Sequence, residues 1–253
     1  MTKINKQLSL SIESNHDILS IGLLNKNKII KVKSFNSDDH LEDTENMFLS
    51  INNFFKTTQL NVEDIKSLYV GCGPGSFTNI RKALSLAIGL KVSVLSLSDN
   101  KELFITGINS LSAIAYQYFL NTNFSNKKLV LSTIDSKCGD YFIQLYSHQK
   151  NSTKSIIALS PILCMIPERF KYFLCNYTSD ISNVIILGSH NSKLNKFKLD
   201  LKNYNLPSAY CIANIGLEIE RQEKENEKFV IDKNLYNLDF VPIYAKNPNI
   251  VKK

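Results

Sequence analysis

The sequence predicts an α/β protein of two similar lobes, each a mixed β-sheet flanked by helices. Apolar runs that alternate with polar residues or continue unbroken, as in strands, are interspersed with stretches of helical periodicity. The order strand, strand, strand, helix, strand, helix occurs early in the chain, and a similar order follows its middle. With 253 residues, 43% of them hydrophobic, the chain can build a large core in one or two domains.

The first lobe is expected to comprise residues 1–106. Its predicted elements are strands at 8–13, 18–24 and 29–35, a helix at 41–56, a strand at 65–70 and a helix at 76–91. This order opens the half-domain found in actin-like and ribonuclease-H-like proteins, and its repetition suggests a duplicated fold.

The second lobe is expected to comprise residues 107–210. Its predicted elements are a helix at 108–120, strands at 129–135, 141–146 and 155–159, a helix at 166–175 and a strand at 184–188. The last predicted helix, 212–225, belongs to a C-terminal segment, 211–253, that we expect to pack back on the first lobe. No sequence identity between the halves is evident, so the duplication rests on element order.

A glycine-rich turn, Gly-Cys-Gly-Pro-Gly-Ser at 71–76, joins a predicted strand to a helix. Ser76 stands at the N-cap position, and Phe77, Ile80, Leu84, Ala87 and Ile88 follow at helical spacing. Such a turn can direct backbone N–H groups at an anion. It lacks the Gly-Lys-Ser/Thr of a Walker A loop and the dinucleotide Gly-x-Gly-x-x-Gly. A phosphate-facing loop and a tight turn that lets the helix pack closely on the sheet are both consistent with it.

The turn resembles the Gly-Pro-Gly-Ser-Phe-Thr-Gly-x-Arg motif of the bacterial TsaB (YeaZ) family. The matching residues are Gly73, Pro74, Gly75, Ser76, Phe77, Thr78 and Arg81. Asn79 replaces the usual glycine, and asparagine tolerates left-handed backbone angles better than most residues. Weaker similarities at 10–14, 134–141, 187–189 and 241–247 follow in the family's order, whereas 145–180 carries almost no signature.

The resemblance implies a duplicated actin-like (ASKHA) fold and a non-catalytic subunit. The complex would transfer a threonylcarbamoyl group to adenosine 37 of tRNAs that read ANN codons. Its catalytic relative TsaD would be the partner in a heterodimer, and the ATPase TsaE would act on the complex. ATP and a metal ion would belong to those partner subunits, with no cofactor held firmly by this chain. The chain would contact tRNA only as part of the complex. A homodimer is the other assembly considered.

The helices at 41–56 and 76–91 are the docking elements that the resemblance implies. The residues expected at the partner interface are Phe48, Ile51, Phe55, Ala83, Ala87 and Gly89. Small residues permit close approach of another element, so replacing Ala83 or Ala87 by Arg is expected to weaken assembly and leave the monomer folded. For the apolar stripe of the first helix, packing on the chain's own sheet is the alternative.

No complete catalytic set is evident in the sequence. The four histidines include no pair at i, i+3 or i, i+4, so a metal site is not expected. Glu13 follows the first strand without the glycine of a phosphate-binding turn. Asp135 and Asp140 suit acid–base work, although a turn favours aspartate for conformational reasons. An actin-like small-molecule kinase is the alternative function, and a metallopeptidase is a third.

Charge, cysteine content and hydropathy indicate the compartment and the kinds of partner to expect. The net charge is +7 and comes mainly from lysines spread evenly along the chain, which does not indicate a dedicated nucleic-acid surface. The five cysteines are scattered without a Cys-x-x-Cys pair, as in a reducing compartment. No apolar run approaches the roughly 20 residues of a membrane helix, and no signal peptide is seen at the N-terminus. We therefore expect a cytoplasmic protein without a membrane anchor.

Overall fold

The computed structural model describes twelve segments of the chain. These are residues 8–14, 18–25, 28–36, 44–58, 61–97, 103–121, 128–148, 156–189, 200–201, 207–225, 236–237 and 240–245. The first half contains β1 (Leu8–Glu13), β2 (Ile18–Asn25), β3 (Lys28–Asn36), α1 (Thr44–Thr58), β4 (Ile65–Gly71), α2 (Phe77–Ser96), β5 (Phe104–Ile108) and α3 (Ser110–Asn121). The second half contains β6 (Leu129–Asp135), β7 (Tyr141–His148), β8 (Ile156–Ala158), β9 (Leu163–Met165), α4 (Phe170–Cys175), β10 (Val184–Gly188), β11 (Asp200–Leu201), α5 (Ala209–Glu225) and β12 (Tyr236–Asn237).

The two β-sheets have the same topology. The first has the order β12-β5-β4-β1-β2-β3, and the second has the order β11-β10-β6-β7-β8, with β9 also paired to β7. β1 is antiparallel to β2 and parallel to β4, and β6 is likewise antiparallel to β7 and parallel to β10. The first five strands thus have counterparts in β6, β7, β8, β10 and β11. The predicted α/β class, with two mixed sheets and flanking helices, is confirmed.

Two helices lie between the sheets, and each contacts the sheet of the other half. α3 contacts strands β6, β7, β8 and β10, whereas α5 contacts β1 to β5, and the two helices contact each other. Residues 110–119 of α3 are all buried, as expected for a helix enclosed by protein. One core cluster joins Tyr69 of β4 and Ile108 of β5 to both helices and to strands β6, β7 and β10.

The outer helices α1 and α2 cover the first sheet. Their inner side chains, including Phe54, Ile80 and Leu84, share one buried cluster with β1, β2 and β4. None of the helices in the described segments is both long and apolar enough to cross a membrane.

Several element boundaries differ from the sequence-based expectations. β5 was not predicted. It spans Phe104–Ile108 and pairs in parallel with β4, so the expected lobe boundary at residue 106 falls inside this strand. α2 continues to Ser96, five residues beyond its predicted end. A 3-10 turn, Pro167–Arg169, occupies the start of the helix predicted at 166–175. The predicted start of the first helix, at residue 41, lies outside the described residues.

The C-terminal part of the chain contacts the first half. β12 pairs antiparallel with β5, and α5 lies against the first sheet. The N–H of Ile243 donates to the carbonyl oxygen of Cys72 over 2.8 Å. The residues after α5 therefore reach the glycine-rich turn.

Two helical glycines offer a matched test of this packing. A Cβ at Gly216 of α5 would lie 2.4 Å from the ring of buried Tyr69, whereas a Cβ at Gly89 of α2 meets nothing within 4 Å. We expect Gly216→Ala to lower the free energy of unfolding by about 1–3 kcal/mol through overpacking. Gly89→Ala is expected to raise it by about 0.5–1 kcal/mol, because alanine favours helix. Urea denaturation measures both, and equal effects would contradict the described contact.

Candidate functional site

The glycine-rich turn is held by hydrogen bonds from three directions. The Cys72 N–H donates to the Ile108 carbonyl at the end of β5, and the Ser110 N–H of α3 donates to the Gly73 carbonyl, both over 2.8 Å. Ile243 donates to the Cys72 carbonyl from the C-terminal side. A strand end, a helix start and the C-terminal segment thus converge on two consecutive residues.

Local geometry explains the residue types in the turn. Gly73 has φ +102°, and the Gly73–Pro74 peptide bond is cis. A Cβ on Gly73 would lie 2.8 Å from Ile80 Cδ1 and 2.9 Å from the carbonyl oxygen of Ile243. Ser76 caps α2, because its Oγ accepts from the Asn79 N–H over 3.4 Å. These contacts support the interpretation of the motif as a tight strand-to-helix turn.

Phe77 and Arg81, on the first turns of α2, contact Tyr244. The rings of Phe77 and Tyr244 are stacked with their centroids 4.8 Å apart. The Arg81 guanidinium lies 3.9 Å from the Phe77 ring centroid, and its Nε donates to Tyr244 Oη over 3.0 Å. Thr78, which also belongs to the motif, is exposed. Two stretches that resemble the same family therefore meet in space, although Arg81 and Tyr244 are 163 positions apart in the sequence.

Glu13 is enclosed by protein at the end of β1. It is 1% exposed, and Ser110 Oγ donates to its Oε2 over 2.9 Å. A Cβ on Gly71 would lie 2.1 Å from the same oxygen, so the absence of a side chain there makes room for the carboxylate. Burial, with a smaller contribution from the Glu13 charge, raises the pKa of the Cys72 thiol to about 12.

Asp135 and Asp140 build the hairpin between β6 and β7. Asp135 Oδ1 accepts from the Lys137 N–H over 2.8 Å, and the Ser136 N–H donates to the Asp140 carbonyl over 3.0 Å. Lys137 and Gly139 have positive φ angles of 62° and 90°. The side-chain bond of Asp135 is of the Asx type, a conformational role of aspartate in turns, whereas Asp140 contributes its backbone carbonyl to the hairpin.

Metal-binding groups do not converge in the described part of the chain. No three histidine, cysteine, aspartate or glutamate side chains there are placed to hold one ion. Of the four histidines, only His148 is described, and its ring lies 5.7 Å from that of Phe119. His16, His40 and His190 lie outside the described segments.

The structure corrects part of the expected partner interface. Ile51, Phe55, Ala83 and Ala87 are buried within the chain itself, in the cluster under α1 and α2. The small residues Ala83 and Ala87 therefore lie on the side of α2 that faces the chain's own core. An Arg at 83 or 87 would therefore disrupt folding, contrary to the expectation that the monomer stays folded.

The outward side of the same two helices is apolar. Phe48 and Val92 are each 61% exposed, and they form with Leu49, Ile88 and Leu95 what we call the outer apolar face. Ile88, Val92 and Leu95 follow at i, i+4 and i+7 along α2, and exposed Gly89 leaves open space beside them. From this region the sequence analysis assigned only Phe48 and Gly89 to the partner interface. The spacing of Ile88, Val92 and Leu95 marks a second apolar side of α2 in the sequence, but it does not show which side is exposed.

Fold and site together define a class of protein: a duplicated, two-lobed α/β protein of the actin-like or ribonuclease-H-like type. The described residues present a structural turn and an exposed apolar helix pair.

Comparison with known proteins shows which proteins the chain is similar to. The family model "TsaD: tRNA N6-adenosine threonylcarbamoyltransferase" matches residues 37–158. The tRNA threonylcarbamoyladenosine biosynthesis protein TsaB of Escherichia coli (strain K12) is 26% identical over 110 residues, which span 44% of this chain and 43% of that protein. The match thus covers less than half the length of this curated relative.

Solved structures establish the fold along nearly the whole chain. YeaZ from Pseudomonas aeruginosa superimposes with a TM-score of 0.67 and 14% identity, over 94% of this chain and 99% of that one. A second structure, of a protein with similarity to the peptidase YEAZ from Pseudomonas aeruginosa, gives the same score and identity over 95% and 100%. The sequence matches thus show similarity to a TsaB protein and to the TsaD family model over part of the chain, and the solved structures show that its fold is that of YeaZ over nearly the whole chain.

The requirement for glycine at position 73 can be tested directly. We expect Gly73→Ala to lower the free energy of unfolding by about 1–3 kcal/mol, because it combines a positive φ with a contact to the Ile243 backbone. Thr78→Ala, at an exposed position five residues on, is the control, with an expected change within about 0.5 kcal/mol. Equal stability of the two variants in urea denaturation would refute the strained geometry.

Cysteine reactivity tests the enclosure of Cys72 and Glu13. At pH 8 a thiol with a pKa of about 12 is almost entirely protonated, and the thiolate is the reactive form. We expect a disulfide reagent to modify exposed Cys138 and Cys175 in the native chain, and Cys72 only after unfolding. Mass spectrometry of the labelled peptides gives the answer. Labelling of Cys72 as fast as Cys175 would show that this region is open.

Proposed function

We propose that the chain is a non-catalytic partner subunit in the biosynthesis of threonylcarbamoyladenosine on tRNA. In this proposal it binds a TsaD protein through the outer apolar face. The observation that carries the proposal is the exposed apolar surface of α1 and α2, on a chain with sequence similarity to a TsaB protein and to the TsaD family model.

The inner and outer sides of the α1–α2 pair differ in burial. The inner side is buried on the chain's own sheet, so the sheet fixes the helices in place. The outer side carries five large apolar side chains that are each about half exposed, so covering the remainder contributes roughly half of the 1.5–3 kcal/mol that full burial of such a side chain gives. Open space above Gly89 would allow the backbone of a partner helix to approach closely. Large exposed apolar patches commonly mark interaction sites, and the proposal takes these side chains as such a surface.

The remaining parts of the proposal follow from this docking. TsaD would transfer the threonylcarbamoyl group to adenosine 37 of ANN-reading tRNAs, and TsaE would act on the assembled complex in the cytoplasm. ATP and the metal ion would be held by those subunits. A homodimer through the same face would compete with the heterodimer, because one surface cannot serve both at once.

The kinase alternative is not favoured by the geometry at Glu13. In an actin-like kinase this position faces the nucleotide phosphates and their metal ion. Here the carboxylate is buried, accepts a hydrogen bond from Ser110 and fills the space left by Gly71.

Charge substitutions on the outer apolar face test the proposed docking. We expect Val92→Glu and Phe48→Glu each to weaken binding to TsaD by about 30-fold or more, the equivalent of about 2 kcal/mol for an interface anchor. Both side chains are exposed in the monomer, so the thermal unfolding midpoint should hardly change. Titration calorimetry with purified TsaD measures the affinity.

The control places the same charge on the second half of the chain. Tyr172 of α4 is 80% exposed, and Tyr172→Glu should leave TsaD affinity unchanged. In cells that lack the native protein, the Val92 variant should restore less threonylcarbamoyladenosine in tRNA than the Tyr172 variant. Full affinity of both Val92→Glu and Phe48→Glu would rule out this face as the docking surface.

A further inference from the structure

The segment 240–245 makes three kinds of contact with the beginning of α2 and the turn before it. Tyr244 stacks on Phe77 and accepts a hydrogen bond from Arg81 Nε, while the Arg81 guanidinium lies over the Phe77 ring. Stacked rings and a cation over an aromatic face attract each other beyond the effect of burial alone. The side chains therefore form a compact unit of two rings and one cation.

Backbone and apolar contacts hold the same segment. The Ile243 N–H donates to the Cys72 carbonyl, and the Ile243 carbonyl oxygen occupies the space that a Cβ on Gly73 would need. Phe240 and Ile243 are partly buried against the core cluster under α1 and α2. The segment thus contacts the turn through its backbone and the sheet through its side chains.

We propose that Phe77 and Arg81 form a seat for the chain's own C-terminal segment, and that the seated segment fixes the first turn of α2 on the glycine-rich turn. In this role Phe77 and Arg81 are positioning residues. They act through Tyr244, not on a phosphate and not directly on a partner protein. The proposal concerns contacts within one chain, so it does not depend on which partner binds the outer apolar face.

The seat lies on the same helix as the outer apolar face. α2 is a continuous helix, Phe77–Ser96, and a rise of about 1.5 Å per residue puts Ile88 about 10 Å along the axis from Arg81. The first turn is also held by Ser14, whose Oγ donates to the Asn79 carbonyl over 3.0 Å, and by buried Ile80, so Tyr244 adds to these anchors from the C-terminal side. Fixing this end of α2 therefore helps to set the position of the whole outward face.

Amide hydrogen exchange in the full-length chain tests the seat. Tyr244→Leu removes the stack and the hydrogen bond, and it should accelerate exchange of the Ile243 and Ile80 amides about ten-fold or more. The Ile243 amide donates to Cys72 and the Ile80 amide to the Ser76 carbonyl, so they report on the segment and on the helix start. Tyr244→Phe keeps the stack and should give a smaller acceleration, about two- to three-fold. Tyr172→Leu is the matched control and should change neither rate.

Two comparisons separate the seat from general loss of stability. Amides of β6 and β7 in the second sheet should keep their exchange rates in the Tyr244 variants. Arg81→Gln combined with Tyr244→Leu should accelerate the Ile243 amide little more than Tyr244→Leu alone, because both changes break one unit. Unchanged rates at Ile243 and Ile80, uniform acceleration over the whole chain, or multiplicative effects would each overturn the proposal. If Tyr244→Leu does not fold, Tyr244→Phe and Arg81→Gln give the same comparison.

Discussion

The exchange of α3 and α5 between the two halves is the constraint on which the arrangement of both sheets depends. α3 follows β5 of the first sheet but lies against the second, and α5 lies against the first. Their apolar side chains share one buried cluster with strands of both sheets. Separation of the halves would expose this cluster to water, at a cost of about 25 cal/mol for each Å² of apolar surface. Each half therefore depends on the other for the cover of its own sheet.

Buried hydrogen bonds fix the alignment of the two halves, which apolar packing alone does not specify. Asn109, whose side chain caps α3, donates to Gln144 of β7 over 2.8 Å, and Ser11 of β1 donates to the Ala209 carbonyl of α5 over 2.8 Å. Tyr69 donates to Glu220 of α5, and burial together with that carboxylate raises the pKa of the Tyr69 hydroxyl. A buried donor or acceptor that loses its partner costs about 1–3 kcal/mol. The two halves consequently have one preferred alignment, and the glycine-rich turn lies where that alignment brings β4, β5 and α3 together.

The sequence predicted the elements whose signal is local. β6 and β10 are confirmed at both ends: β10 is a continuous apolar run that ends in glycine, and β6 is a mainly apolar run that ends at Asp135. β5 was missed, since its sequence Phe-Ile-Thr-Gly-Ile is short and its strand geometry depends on parallel pairing with β4. The motif at 73–81 indicated a turn and a capped helix, but not the contact of Arg81 with a residue 163 positions away. Long-range pairing is the information that periodicity lacks.

The outward side of α2 shows the same limit and explains why this surface matters. Apolar residues occur on both sides of the helix, with Ile80, Leu84 and Ala87 turned inward and Ile88, Val92 and Leu95 turned outward. Periodicity alone cannot decide which side meets the sheet, and the small size of Ala83 and Ala87 favoured the wrong side. Once the sheet covers the inward side, the outward residues have no counterpart among the chain's own described elements. An apolar helix surface exposed to water is unfavourable in proportion to its area, and this cost is the physical basis of the proposed docking to a second protein.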